Sequence, residues 1–315
     1  MSINGEHIRN FRDEVNENNL FRLAMSNVNG KNEFNKICSA MDWIDMFVNG
    51  YDLSVNRLEN RGHEGSIAIL AYIMISDTLV NGVVALHEAL GIENQKTRRV
   101  FFIKTKKSPN YPYDHRHARY IKSEESVVFN TIETDEDYFK KIRACFGAHA
   151  QDIGRKKEKF FASWSNIDII EKSINVHLYN YSLAGDIIFS IKIDEIDAYI
   201  TSEYEKIKQL IPEIKNIVEK HREYLRVKII PATKSTNDEL ELLMCEAKNR
   251  GKEWEQYLLE ELRSSLIADV NAEEETRIRN VILAKIRNSL QTMSKDEEGE
   301  LYEINNINEL IERNI

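Results

Sequence analysis

The chain has 315 residues, of which 42% are hydrophobic and 30% charged, and its formal net charge is -9. That composition excludes a disordered chain and describes a globular protein long enough to bury a substantial core. Cys38, Cys145 and Cys245 are dispersed, odd in number and without CxxC spacing. They argue against a disulfide framework or a structural zinc site and point to a reducing, cytoplasmic setting.

The opening MSINGEHIRNFRDEV is too charged for a secretory leader. Prolines occur only at 109, 112, 212 and 231, so long helices can run uninterrupted through the first hundred residues. Residues 32–58 predict a helix, with Phe34, Ile37, Cys38, Met41, Ile44, Phe47 and Val48 at three- and four-residue spacing. After the polar break Asn60-Arg61-Gly62, a second helix is expected from Gly65 to Leu90, with Gly91 as its stop. Its broad apolar face suits the centre of a bundle. Ser76, Asp77, Asn81 and His87 interrupt the apolar run from Ile67, so no membrane span is expected.

Residues 95–125 lose the helical period, and Ser108-Pro-Asn-Tyr-Pro112 reads as a turn-rich break. A third helix should start near Thr134, carry Tyr138, Phe139, Ile142 and Cys145 inward, and end around Gly147. Ile174 to Tyr181 alternates with period two, Leu183–Asp186 supplies a turn, and Ile187 to Ile193 returns, which predicts a β-hairpin over 174–193. A long helix from Asp194 towards Val227 follows, kinked or divided by Pro212. Pro231 and the polar stretch through Asn237 mark a boundary, and Thr236 with Glu239 has capping-box spacing. Further helices are expected at 238–249, 252–268, 273–293 and 303–313. The fold class is therefore mainly α. It divides into a helical bundle over 1–230, with the inserted β-hairpin, and an acidic C-terminal helical region over 231–315.

Charge is unevenly spread. Residues 231–315 hold 11 Lys/Arg against 19 Asp/Glu. Residues 95–122 hold nine basic side chains, including Lys104, Lys106, Lys107, Arg116 and Arg119, against the single acid Asp114. A local surplus of that size can attract phosphate whatever the global sum. His115 and His117 lie within it and are candidate RNA contacts. His115 and His117, with Asp114 and His149, have metal-ligand chemistry, but one short cluster is a weak metal signature, so no metal or cofactor is expected. Arg155, Lys156, Lys157 and Lys159 precede Phe160, Phe161 and Trp164, a mixture that suits single-stranded RNA, although such aromatics more often pack inward.

Arg143-Ala-Cys-Phe-Gly-Ala-His149 combines a permanently charged fork with an imidazole that titrates near neutrality. Such a pair can grip a phosphate and move its protons without a metal. An Arg/His pair at this spacing is expected about once by chance in a chain of this composition. A second pair, Arg57/His63, falls in the polar break and reads as solvated. The segment Arg143–His149 resembles the motif of the HEPN superfamily (higher eukaryotes and prokaryotes nucleotide-binding), helical bundles with an Arg and a His four to six residues apart at the end of the third helix. The resemblance covers about residues 30–230. It implies a ribonuclease site shared across a homodimer, with Arg143 gripping phosphate and His149 transferring protons. Many members carry Asn, Asp or His after the Arg, where this chain has Ala144. Arg287-Asn288 starts a similar motif but lacks its His and reads as helix surface. The implied activity is an endoribonuclease of toxin or phage-defence type, acting on single-stranded or structured RNA and leaving a 2′,3′-cyclic phosphate. The alternative is a non-catalytic scaffold that binds RNA, a nucleotide or a protein partner, the last through the acidic C-terminal region.

Overall fold

The computed structural model describes residues 3–59, 62–94, 98, 100–102, 133–144, 160–170, 173–180, 187–233, 235–266 and 276–293. These are mainly helical and form two compact units. The first comprises Met1–Asp13 and Glu33–Ile211, the second Glu14–Asn32 and Pro212–Ile315. The division falls at Pro212, not at the expected Pro231. Ile230 explains the difference, because it is buried in the apolar core of the second unit and cannot belong to a linker.

Two N-terminal helices precede the first one expected from sequence: α1 (Glu6–Asn16) and α2 (Asn19–Met25). The Asn18 side chain caps α2 by accepting from the Phe21 amide at 3.2 Å. Next come α3 (Glu33–Asn56) and α4 (Gly62–Ala89), which pack side by side. Ile37, Ala40, Met41, Ile44, Phe47 and Tyr51 form the buried stripe of α3. Glycine sets the spacing of the pair: a Cβ on Gly82 would lie 2.8 Å from Ile44 Cγ1, and one on Gly50 would lie 2.5 Å from Ile75 Cδ1. Gly91, at φ +69°, ends α4 as expected, with the Ile92 amide donating back to His87 O at 2.9 Å.

Helix α4 is long and apolar enough to cross a membrane by length and composition, yet 56% of its most apolar window is buried inside the protein. Its polar residues are accommodated there. Ser76 donates to Tyr72 O at 2.7 Å, and His87 Nδ1 lies 2.9 Å from Val83 O. Helix α5 (Asp135–Arg143) starts at its Thr134 cap, whose hydroxyl accepts from the Asp137 amide. Its Tyr138, Phe139 and Ile142 are buried, as their spacing predicts. Strands β1 (Phe160–Ile170), β2 (Ser173–Asn180) and β3 (Ile187–Lys192) pair antiparallel in that order, with a register shift between Ser163 and Asp168.

The expected long helix after the strands is divided. Helix α6 (Ile193–Glu205) passes through a 3-10 turn, Lys206–Leu210, into α7 (Ile211–Val227), where Pro212 occupies the first turn and needs no intrahelical donor partner. Asp197 of α6 accepts from both Tyr51 and Tyr72, each at 2.6 Å, and so ties α6 to α3 and α4. Burial, together with the Asp197 carboxylate, pushes both phenols up, so they remain neutral donors.

In the second unit, α8 (Thr236–Asn249) is capped by Ser235, which accepts from the Asp238 amide, and not by Thr236. Thr236 is buried, and Glu239 instead turns to the Thr233 amide and hydroxyl at 2.7 and 3.0 Å. Helix α9 (Glu253–Leu266), a π-helical turn (Ile278–Leu283) and α10 (Ala284–Thr292) complete the described part. Leu240, Leu243, Leu259, Leu283, Ile286 and Leu290 form its core.

Burial lowers the pKa of His87, against the pull of its bond to Val83 O and with help from Lys206; burial alone lowers that of His221. The folded state therefore favours neutral imidazole, while the unfolded chain binds a proton near pH 6.5. Stability is fully present above that value and declines as pH falls through the depressed folded pKa. Glu203, raised by burial, acts in the opposite sense at lower pH. Thermal melts from pH 7.5 down to about pH 5 should thus show a falling Tm, and His87→Leu should reduce that slope. A slope unchanged by the substitution would refute the assignment to His87.

Candidate functional site

The candidate site rests on the C-terminal end of α5. Its entry is fixed by Asp135, a completely buried carboxylate. Asp135 accepts from the backbone amides of Val100 (2.9 Å), Phe101 (3.2 Å) and Phe102 (3.1 Å). Those bonds hold Phe102 in an aromatic cluster with Tyr138, Phe139 and Tyr199, at centroid separations of 4.8, 6.4 and 5.4 Å. A carboxylate in the first turn also suits the positive end of the helix dipole. The segment 100–102 and the start of α5 are thereby tied together through one carboxylate.

At the other end of α5, Arg143 reaches α4. Its Nη1 lies 2.9 Å from Asp77 Oδ2, and the same oxygen accepts from Asn81 Nδ2 at 2.7 Å. The Arg143 side chain is 36% exposed and that of Asp77 is 10% exposed. The guanidinium is oriented by a largely buried anion while much of it still faces water. Tyr199 Oη is buried without a hydrogen-bond partner among the described residues. Burial, then the carboxylates of Glu203, Glu136, Asp135 and Asp77, push this phenol up, so it stays protonated.

Asp77 and Asn81 are the site residues missed by the sequence reading, where they counted only against a membrane span. A signal was present: two hydrogen-bonding side chains four apart on an otherwise apolar helix need a partner. Arg143 is the one proposed site residue that falls within the described residues. His149 lies outside them. So do the expected RNA contacts Lys104, Lys106, Lys107, His115, Arg116, His117, Arg119, Lys156 and Lys157, and the turn, 303–313 helix and Gly147 helix end expected from sequence. Arg57 and His63 are both exposed, in keeping with a solvated pair.

No family model, curated protein or solved structure matches the chain.

Arg287 is not helix surface. It pairs with Glu239, whose side chain is completely buried, and it helps line a cleft of about 470 Å3 with Ala232, Thr233, Arg279, Asn280 and Ala284. The acidic balance of residues 231–315 is likewise not all presented to solvent. Glu246 is held by Lys228 at 2.8 Å and Arg250 at 3.0 Å, and Glu255 accepts from Ser289 at 2.9 Å. Burial opposes ionisation of Glu246, but the bonds from Lys228 and Arg250 outweigh it and lower its pKa. Among the described residues no group of three His, Cys, Asp or Glu side chains is placed to hold a metal ion.

Proposed function

We propose that the chain is a metal-independent endoribonuclease with a HEPN-like bundle, in which the β-hairpin is an insertion and two copies share the site. The observation that carries the reading is the placement of Arg143: at the end of a bundle helix, partly open to solvent, with one terminal nitrogen anchored on Asp77. Anchoring Nη1 orients the planar fork, and Nη2 and Nε, which bond to no other described residue, serve as donors to non-bridging phosphoryl oxygens. His149, six residues on, supplies the proton transfer. The imidazole removes the proton of a ribose 2′-OH, the O2′–P bond forms, and the P–O5′ bond breaks. The O5′ leaving group takes its proton from the imidazolium of the second copy. The products are a 2′,3′-cyclic phosphate and a 5′-hydroxyl end, and the basic residues from Lys104 to Arg119, with Lys156 and Lys157, guide the RNA.

A second reading has its own support. The Asp77 carboxylate offsets the charge of Arg143, and an already paired guanidinium holds a phosphate less tightly. On this view the pair is architectural, and the protein is a scaffold for RNA, a nucleotide or another protein.

Purified wild type, Arg143→Ala and His149→Ala, incubated with single-stranded and hairpin RNA in EDTA, separate the two. The ribonuclease reading expects cleavage by wild type and a loss of at least about a hundredfold in His149→Ala, since general acid–base groups contribute 10²–10⁴-fold. Cleavage unchanged in His149→Ala, or absent from the wild type, leaves the scaffold.

A further inference from the structure

Helices α3 and α4 bury most of their apolar residues, but one face of the pair does not fit that pattern. On α3, Trp43, Met46 and Leu53 fall three and seven residues apart, on one stripe, and are 51%, 47% and 57% exposed. On α4, Ile67 and Met74 fall seven apart and are 66% and 38% exposed. The stripes adjoin, because Gly50 of the first stripe approaches Ile75 of α4 so closely that a Cβ would meet it. Alanine at 71, exposed between Ile67 and Met74, continues the surface. The other flank of α3 is different. There Asp42 and Asp45 face α1 and take the Arg12 guanidinium at 3.0 and 2.5 Å.

We infer that this α3–α4 face is where a second copy of the chain docks. The five side chains leave on the order of 500 Å2 of apolar surface in water, near the upper limit for a monomer. With its rim, that approaches the roughly 800 Å2 per partner of a stable specific interface. The shape suits self-association. Two adjacent helices that approach closely at a glycine present one shared apolar face, and two such faces related by a twofold axis form a four-helix packing in which the same patch serves both copies. A lipid surface fits worse. Membrane-binding helices flank their apolar face with Lys and Arg, whereas the described residues of α3 and α4 contain only Lys36 as lysine, and Lys36 is paired to Glu88 at 2.7 Å. The consequence for catalysis rests on the ribonuclease reading, which needs two copies; the association itself does not.

Sedimentation of the full chain at micromolar concentration tests it. Wild type is expected at twice the 36.8 kDa chain mass. Met46→Glu/Leu53→Glu, and separately Ile67→Lys, should sediment as monomers with unchanged helical circular dichroism. Lys248→Glu, at an exposed position of α8, should remain dimeric. A wild type that is monomeric throughout, or a dimer that survives both apolar-face variants, overturns the proposal, as does a monomer that instead floats with phosphatidylcholine vesicles. A dimer that leaves RNA intact refutes the ribonuclease reading and not this face; a monomer that cleaves RNA does the reverse.

Discussion

Replacing Arg250 with methionine is expected to cost the second unit about 3–5 kcal/mol, the usual penalty for removing one partner of a buried, hydrogen-bonded ion pair. Arg250 is completely buried and joins three separate pieces of chain. Nε meets Glu246 Oε2 at 3.0 Å within α8, Nη1 donates to Leu225 O at 2.7 Å and Leu290 O at 3.1 Å, and Nη2 donates to Lys228 O at 2.9 Å. Those carbonyls belong to the ends of α7 and α10, where the last helical oxygens lack intrahelical donors. Methionine fills the volume but takes the guanidinium away from all three, of which Lys228 O still accepts from Gln291 Nε2 at 3.2 Å. Lys228 still reaches Glu246, so the carboxylate is not abandoned, and the loss is that of the acceptors and the geometry. Lysine at 250 should recover little, because an ammonium cannot reproduce the fork. Urea unfolding followed by the fluorescence of Trp254, in a background with Trp43 and Trp164 replaced by phenylalanine, measures it. A midpoint shift equivalent to less than about 1 kcal/mol would mean that water or a rearranged neighbour replaces the guanidinium.

The regular helices were legible because their burial is periodic. Ile37, Met41, Ile44 and Phe47 on α3, and Tyr138, Phe139 and Ile142 on α5, could be assigned to the core from spacing alone, and Gly91 and Pro212 mark the breaks that backbone chemistry demands. Helix α1 also carries a periodic signal, in Ile8, Phe11 and Val15, but its many charged residues obscured it. Pairings across the chain were not legible. Asp77 and Arg143 are 66 residues apart, and nothing local to either names the other. The same holds for Glu239 and Arg287, so acids that lower the net charge of the C-terminal region looked like surface when they are internal counter-ions. At the candidate site, sequence supplied the chemistry of Arg143, and the fold supplied the anion that orients it.

The Asp77 anchor works only if α5 itself is held in place, and that depends on Asp135. Asp135→Ala is expected to destabilise the first unit by about 2–4 kcal/mol, since one buried amide (Phe102) and two part-buried amides (Val100 and Phe101) lose their acceptor, at about 1–3 kcal/mol for a fully buried donor, with partial relaxation. The amides are those of Val100, Phe101 and Phe102, and Phe102 is 1% exposed, so water cannot replace the carboxylate there without opening the aromatic cluster. Asn at this position should be intermediate: one oxygen can still accept, but the amide nitrogen presents hydrogens to backbone donors. The substitution also separates local from global damage. If Phe102 leaves its place against Tyr138 and Tyr199, the start of α5 loosens and Arg143 loses its fixed approach to Asp77 from the other end of the same helix. Hydrogen exchange should then show protection lost from α5 at urea concentrations where α3 remains protected. Loss of protection in both helices together would mean that Asp135 supports the whole unit; retention in both would show that the three amides find other acceptors.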